Sequence, residues 1–300
     1  MSTTRSELFE LELSLPEAGL HARAGRLVGF EARYERIRRD LRLLAAPEEV
    51  GEWSRKFYGS EMPICAAVTD RYPLVIFAGD VGTGKTETAE AMSDRLARET
   101  GKGAMLFKLS TRVRGGGKVG EMSTLLNNAF ETVVKEAGKT RSAFLIIDEA
   151  DSLTSTRDES HRHHEDKVAV NTIIQRVDDL RRHRGRVLVF LCTNRSAALD
   201  PAVVRRAART EVFSRPNAEE RLELLRMDLK GLGIEDAAIR QLVDMTGPSS
   251  DPPQPGFTFS DLRSRLLPEA LARAFPSRRI QAEDFVQVAR EMTPSPAVYA

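Results

Sequence analysis

Two cysteines, Cys65 and Cys192, and a single tryptophan are all that 300 residues hold of either type. Two thiols cannot build a disulfide framework or a four-thiolate zinc site, and Cys192 lies in an apolar, strand-like run, so both read as reduced thiols. No apolar stretch approaches the roughly 20 residues that span a bilayer. The first fifteen residues, MSTTRSELFELELSL, carry acids where a secretory signal carries an uninterrupted apolar stretch. The reading is a cytoplasmic protein with no membrane partner. Excess charge is also missing: 45 Lys and Arg against 44 Asp and Glu leave +1, which argues against a nucleic-acid partner but leaves room for local patches. Disorder is excluded by a hydrophobic content of 41% over a length that suits one large or two modest domains.

Phe9, Leu11, Leu13 and Leu15 alternate as one face of a strand within a short lead, residues 1–26. From Leu27 the period turns helical, with Ile37, Leu41 and Leu44 three or four apart as far as Pro47, and a second helical stretch surrounds Trp53 and Phe57. Those two aromatics read as core contacts of the N-terminal helices. Apolar runs at Leu74–Ala78, Ala104–Leu109, Phe144–Ile147 and Val187–Leu191 alternate with helix-period segments at about 85–99, 118–138 and 166–183. That alternation predicts an α/β domain, residues 27–216, with a parallel sheet covered by helices on both faces. Asn217 and Glu220 then make a capping-box start, and helices over roughly 235–246, 260–275 and 282–292 complete a small helical domain, residues 217–300. Gly247–Gly256, rich in proline and polar residues, reads as disordered.

Gly79, Asp80, Val81, Gly82, Thr83, Gly84, Lys85 and Thr86 fit GxxxxGK[ST], the P-loop, between a strand and a helix. Glycines let successive backbone N–H groups curl around phosphate oxygens, and the helix N-terminus adds its positive end. Lys85 would reach the β and γ phosphates of ATP, Thr86 would ligate Mg²⁺, and Glu87 follows on the same helix. The strand Phe144–Ile147 delivers Asp148 and Glu149 at its C-terminal end, where open α/β sheets bind ligands. Asp148 would complete the magnesium shell, and Glu149 would orient and polarise the attacking water. A third strand ends at Asn194, an amide suited to fixing that water. Arg205, Arg206 and Arg209 cluster further on, either as a hydrated surface or, in a ring of ATPases, as guanidinium groups facing the neighbouring subunit's nucleotide.

In that order these segments resemble the AAA+ ATPases, from about Leu27 to the C-terminus. Leu27-Val28-Gly29-Phe30 is similar to the adenine-side segment, which places Val28 and Gly29 at the nucleotide. Gly256 to Arg263 resembles the start of the sensor-2 helix of the helical lid, with the sensor at Arg263, at Arg265, or absent. A narrower resemblance, to the pachytene-checkpoint family, rests on Ile147 to Thr154, on the helix from Val170 to His183 and on Thr193-Asn194. It ranks Arg206 above Arg205 and Arg209 as the arginine finger. The resemblance implies a homo-hexamer that uses ATP to pull on and unfold HORMA-domain proteins, with nucleotide between the α/β domain and the lid. The short lead resembles bacterial members found with CBASS anti-phage systems, where a HORMA protein activates a cGAS-like nucleotidyltransferase and the ATPase switches it off. The pore-loop stretch Ser110 to Lys118 carries Arg112 and Val113 where the family carries an aromatic residue. Arg112, Arg114 and Lys118 therefore support a rival reading, a DNA-associated loader or helicase partner; a scaffold that binds ATP without hydrolysing it is a third. His161-Arg162-His163-His164 reads as solvent-facing rather than as a metal site, and the resemblance implies a second pore loop touching substrate there.

Overall fold

The computed structural model describes residues 5–114, 120–151, 163–251 and 253–298. Within them the chain divides into two compact units. One gathers the described residues of Met1–Ala24, Phe30–Ala78 and Thr86–Val212, the other those of Gly25–Gly29, Gly79–Lys85 and Phe213–Ala300.

The first unit is built on a six-stranded sheet of β1 (Phe9–Leu15), β2 (Leu74–Gly79), β3 (Ala104–Leu109), β4 (Ser142–Ile147), β5 (Val187–Thr193) and β6 (Arg209–Phe213), in the order β1-β3-β4-β5-β2-β6. β3, β4, β5 and β2 pair in parallel, and β1 lies antiparallel on β3 at the edge. Every residue of β2, β4 and β5 is buried, which requires helices on both faces and explains why these strands read as continuous apolar runs. Its helices include α1 (Phe30–Ala45), α2 (Pro47–Tyr58), α3 (Pro63–Thr69), α4 (Lys85–Thr100), α5 (Glu121–Ala137) and α6 (His163–Leu180). Phe77 and Phe190, on neighbouring strands, pack with tilted rings at 5.3 Å between centroids. Both cysteines are buried, and no disulfide joins them.

Two readings need correction. Trp53 and Phe57 are 47% and 64% exposed, because α2 turns Pro47, Gly51 and Ser54 inward instead. The aromatics pack on each other and on Tyr58, at 5.5–6.1 Å between rings, rather than in a core. Gly247–Gly256 is not structureless over its described residues: Ser249–Ser250 pairs with Pro253–Gln254 as a short ribbon. Phe257 N donates to Thr246 O across its base and closes it.

The second unit is a helical cluster of α7 (Ala218–Asp228), α8 (Asp236–Met245), α9 (Asp261–Ala274, its first turn π-helical) and α10 (Ala282–Glu291). The expected capping box starts α7: Asn217 Oδ1 accepts from Glu220 N and Glu220 Oε2 accepts from Asn217 N, both at 2.9 Å. Leu224, Leu242, Leu262, Leu266 and Phe285 form its apolar centre. Asp261, fully buried, accepts from Thr258 N, from Ser295 N and Oγ, and from Arg265, so its charge is compensated as a buried carboxylate requires. At the start of α10, the Arg278 guanidinium and the Gln281 N–H hold the Asp284 carboxyl down to about 2, from 3.8. A depressed carboxylate stabilises the fold above its unfolded value and loses that contribution as pH falls through the folded one. Between about pH 4 and pH 2 the urea midpoint of the unaltered chain should therefore fall more steeply than that of Asp284→Asn, which starts lower at pH 7.

Candidate functional site

In the second unit the P-loop leaves β2 at Gly79, where a Cβ would lie 2.0 Å from Phe213 O, so only glycine fits. Gly82, at φ 73°, is closed off likewise: a Cβ there would meet Ser260 Cβ at 2.7 Å. The loop is further tied by Thr83 Oγ1 donating to Asp80 O at 2.7 Å, and by Ser260 N donating to Gly82 O at 3.1 Å. Asp80 is buried and clamped: Arg215 Nε donates to it at 2.7 Å, as does Val298 N. Lys85 is 6% exposed, and its ammonium donates to the carbonyls of Gly79 (2.9 Å) and Asp80 (2.7 Å). A phosphate, with full charge, would compete well with these carbonyls for the ammonium. Val81 is exposed, and Gly84, at φ 83°, holds the last bend before α4.

Thr86, the next residue in the chain, belongs to the first unit and faces the end of β4. Its Oγ1 donates to Asp148 Oδ2 at 2.8 Å, while Glu149 N donates to Asp148 Oδ1 at 2.8 Å. A hydroxyl and a carboxylate brought together are the hard oxygen donors that Mg²⁺ prefers, so this pair fits the ion. Glu149 itself sits at φ 48°, a conformation uncommon for a side-chain-bearing residue and of the kind that collects at working sites. The strained turn is held from beyond by Ala150 N donating to Cys192 O at 2.9 Å. Glu87 is exposed in the first turn of α4. At the end of β5, Asp151 Oδ1 accepts from Thr193 Oγ1 (3.0 Å) and from Asn194 N (3.2 Å), fixing the backbone on which Asn194 stands.

Sequence reasoning missed two groups beside Asp148. Lys108 on β3 lies 3.6 Å from Asp148 Oδ2 and 2.8 Å from Glu10 Oε1. Burial works against its charge, but Glu10 and Asp148 outweigh burial and raise its pKa. Glu90, one helical turn beyond Thr86, is buried, and burial pushes its carboxyl up against the pull of Arg23 and Lys108. A lone lysine inside an apolar strand and a glutamate on the inward face of α4 are the signals that could have found them.

The arginine cluster separates into tied and untied members. Arg206 Nε and Nη2 donate to Asp178 at 2.5 and 2.9 Å, and Nη1 donates to Ala202 O. Arg209 pairs with Asp40 and Glu211, and Arg205 is exposed. Before them runs a single helical turn, Pro201–Val204, capped by Asp200; β6 begins at Arg209.

In the second unit Arg263 binds Asp228 and Arg26 O, Arg265 binds Asp261, and Val28 is buried among the helices. Gly29, at φ 71°, follows it. Of the pore-loop stretch, residues 115–118 lie outside the described residues. Thr111–Arg114 is a 3₁₀ turn whose Val113 is buried, which removes Val113 as a residue gripping a substrate. His161 and Arg162 lie outside the described residues, and His163 and His164 begin α6.

A family model described as the ATPase family associated with various cellular activities (AAA) matches residues 75–215. CD-NTase-associated protein 6 of Escherichia coli strain KTE188 is 50% identical over 98% of this chain and 99% of its own length. Among solved structures, a chain of the E. coli MS115-1 HORMA:CdnC:Trip13 complex superposes with a TM-score of 0.89 at 40% identity, over 99% of both chains. Rhizobiales Trip13 superposes at 0.71 and 33% identity, over 96% of this chain and 99% of that one. Among the described residues, no helix is long and apolar enough to cross a membrane.

Proposed function

Because this chain belongs to the AAA family of ATPases, in the pachytene-checkpoint branch that includes CD-NTase-associated protein 6 and Trip13, we propose that it is an ATP-driven remodeller of a HORMA-domain protein. It works as a homo-hexamer in CBASS anti-phage signalling, where it separates the HORMA protein from a cGAS-like nucleotidyltransferase and so switches that enzyme off. The observation that carries this reading is the likeness, over nearly the whole chain, to a structure solved in complex with HORMA and CdnC.

The residues supply the chemistry in sequence. Backbone N–H groups of Gly79 to Lys85 cradle the phosphates of ATP, and Lys85 exchanges the Gly79 and Asp80 carbonyls for a phosphate oxygen. Thr86 and Asp148 would hold Mg²⁺. When bound, the ion neutralises charge on the β and γ phosphoryl oxygens. Glu149 takes the proton from the attacking water, and Asn194 fixes that water in line. Arg206, donated by the next subunit, stabilises charge on the transferred group. Loss of the γ-phosphate removes contacts made only in the ATP state, which is the differential affinity that moving a bound polypeptide requires.

The test is ATP turnover by the purified chain with a HORMA-domain protein from its own source added, and separately with single-stranded DNA. HORMA should raise turnover and be released from its nucleotidyltransferase, while DNA should leave turnover unchanged. Salt-sensitive stimulation by DNA with no HORMA response would replace this reading with the loader.

A further inference from the structure

Lys108 is the only charged residue of β3, whose sequence is AMLFKL. Its ammonium stands between two carboxylates, 2.8 Å from Glu10 Oε1 and 3.6 Å from Asp148 Oδ2. The Asp148 oxygen it faces is the one that also accepts Thr86 Oγ1, so Lys108 meets Asp148 on the side where the threonine and the carboxylate would hold Mg²⁺. Glu10 reaches the lysine through a local irregularity. Phe9 pairs with Leu109 and Leu11 with Lys108, the adjacent residue, which leaves Glu10 as the extra residue of a β-bulge. A bulge re-aims a side chain, and bulges concentrate beside working sites. The three side chains line a cavity of about 220 Å³ together with Ser110, Thr111 and Glu149.

We infer that Lys108 is a positioning residue with two acceptors: it steadies Asp148 before Mg²⁺ binds and withdraws to Glu10 when the ion takes its place. The inference rests on the ATPase reading above and adds a control on metal binding supplied by the N-terminal strand. Its physical basis is competition. An ammonium and a divalent cation drawn to one carboxylate repel each other, and at this separation that repulsion is not screened away. A lysine with no second acceptor would either stay and oppose the metal or leave its charge unpaired in a mostly buried place. Glu10 removes that dilemma, since Lys108 already touches it and need only shift its weight.

Two substitutions then act with opposite signs. Lys108→Met removes the competing charge, so the Mg²⁺ concentration that half-saturates ADP binding falls about threefold. Glu10→Gln removes the nearer of the two carboxylates that flank Lys108 and leaves Asp148 the closest, with the buried Glu90 acting from farther off, so the same concentration rises about threefold. The double variant follows Lys108→Met, because Glu10 acts only through Lys108. Lys108→Arg keeps the charge and stays near the unaltered chain.

The measurement is calorimetric ADP binding by the full chain across a Mg²⁺ titration, with affinity in the absence of Mg²⁺ as the control that should not move. Thermal melting of each variant confirms that it is folded, and Lys108→Gln serves if the methionine variant is not. A merely structural role would shift both single variants the same way, toward more Mg²⁺, and that result overturns the inference, as does a double variant that follows Glu10→Gln. If the unaltered chain binds no ADP, the ATPase reading fails first. If it binds ADP with normal Mg²⁺ dependence and the opposite shifts are missing, only the role of Lys108 falls.

Discussion

Replacing Glu149 with glutamine should lower ATP turnover by about a thousandfold while leaving ATP affinity within about twofold. The amide keeps the shape of the carboxylate and loses its basicity, so the substitution subtracts proton transfer from a site that is otherwise intact. Three observations say that the surroundings will hold. The Asp148 carboxylate receives its hydrogen bond from the Glu149 backbone N–H, not from the side chain. Ala150 N is anchored on Cys192 O, so the strained turn at φ 48° is held from beyond the residue. Glu149 is exposed, so the amide takes the carboxylate's place in contact with water. Turnover followed by phosphate release, with ATP affinity from calorimetry on the same samples, separates the two effects. A variant that still turns over at a tenth of the normal rate would take the proton-transfer role away from Glu149.

How much of this was legible in the sequence depended on how local each cause is. β2, β4 and β5 were readable because burial on both faces leaves almost only apolar residues, and the P-loop was readable because its motif lies within eight residues. The capping box at Asn217 and Glu220 is equally local. What escaped depends on partners far along the chain. Arg215 clamps Asp80 from 135 positions away, and no pattern around either residue announces the other. Glu10 and Lys108 meet only because β1 folds back on β3 with an extra residue in its register. Trp53 and Phe57 fall at helical spacing, as core residues would, yet periodicity gives only the face they share; which face turns inward is decided by Gly51 and Ser54 packing against the rest of the unit. β6 was missed because Arg209–Phe213 mixes charges into a short edge strand and lacks the apolar run of its neighbours.

Losing Arg206 should prove as costly as losing Glu149, and by a route that only an assembly can supply. Arg206→Ala should reduce turnover by about a thousandfold, the scale on which a guanidinium stabilises a transferred phosphoryl group. Within its own chain this side chain is only 13% exposed and binds Asp178 through two nitrogens. It also lies over the Tyr72 ring at 5.5 Å. That grip can be read as a purely structural tie or as a mount that fixes the plane of the guanidinium while leaving Nη1, now on Ala202 O, to turn outward. Mixing decides between them. In a ring, a site built from one subunit's Glu149 and its neighbour's Arg206 is complete wherever an Arg206→Ala subunit receives its finger from a Glu149→Gln subunit. An equal mixture of the two inactive variants should therefore recover up to about a quarter of normal turnover, since one neighbouring pair in four is complete. No recovery from two folded, assembling variants would mean that Arg206 does not act across the boundary, and the exposed Arg205 would be the next to test. Asp178→Asn supplies the finer contrast. It keeps a hydrogen-bonding partner for the guanidinium but removes the charge that mounts it, so turnover should fall by about tenfold rather than a thousandfold. A structural tie predicts the reverse emphasis, a lower melting temperature in both variants and no complementation between the two inactive chains.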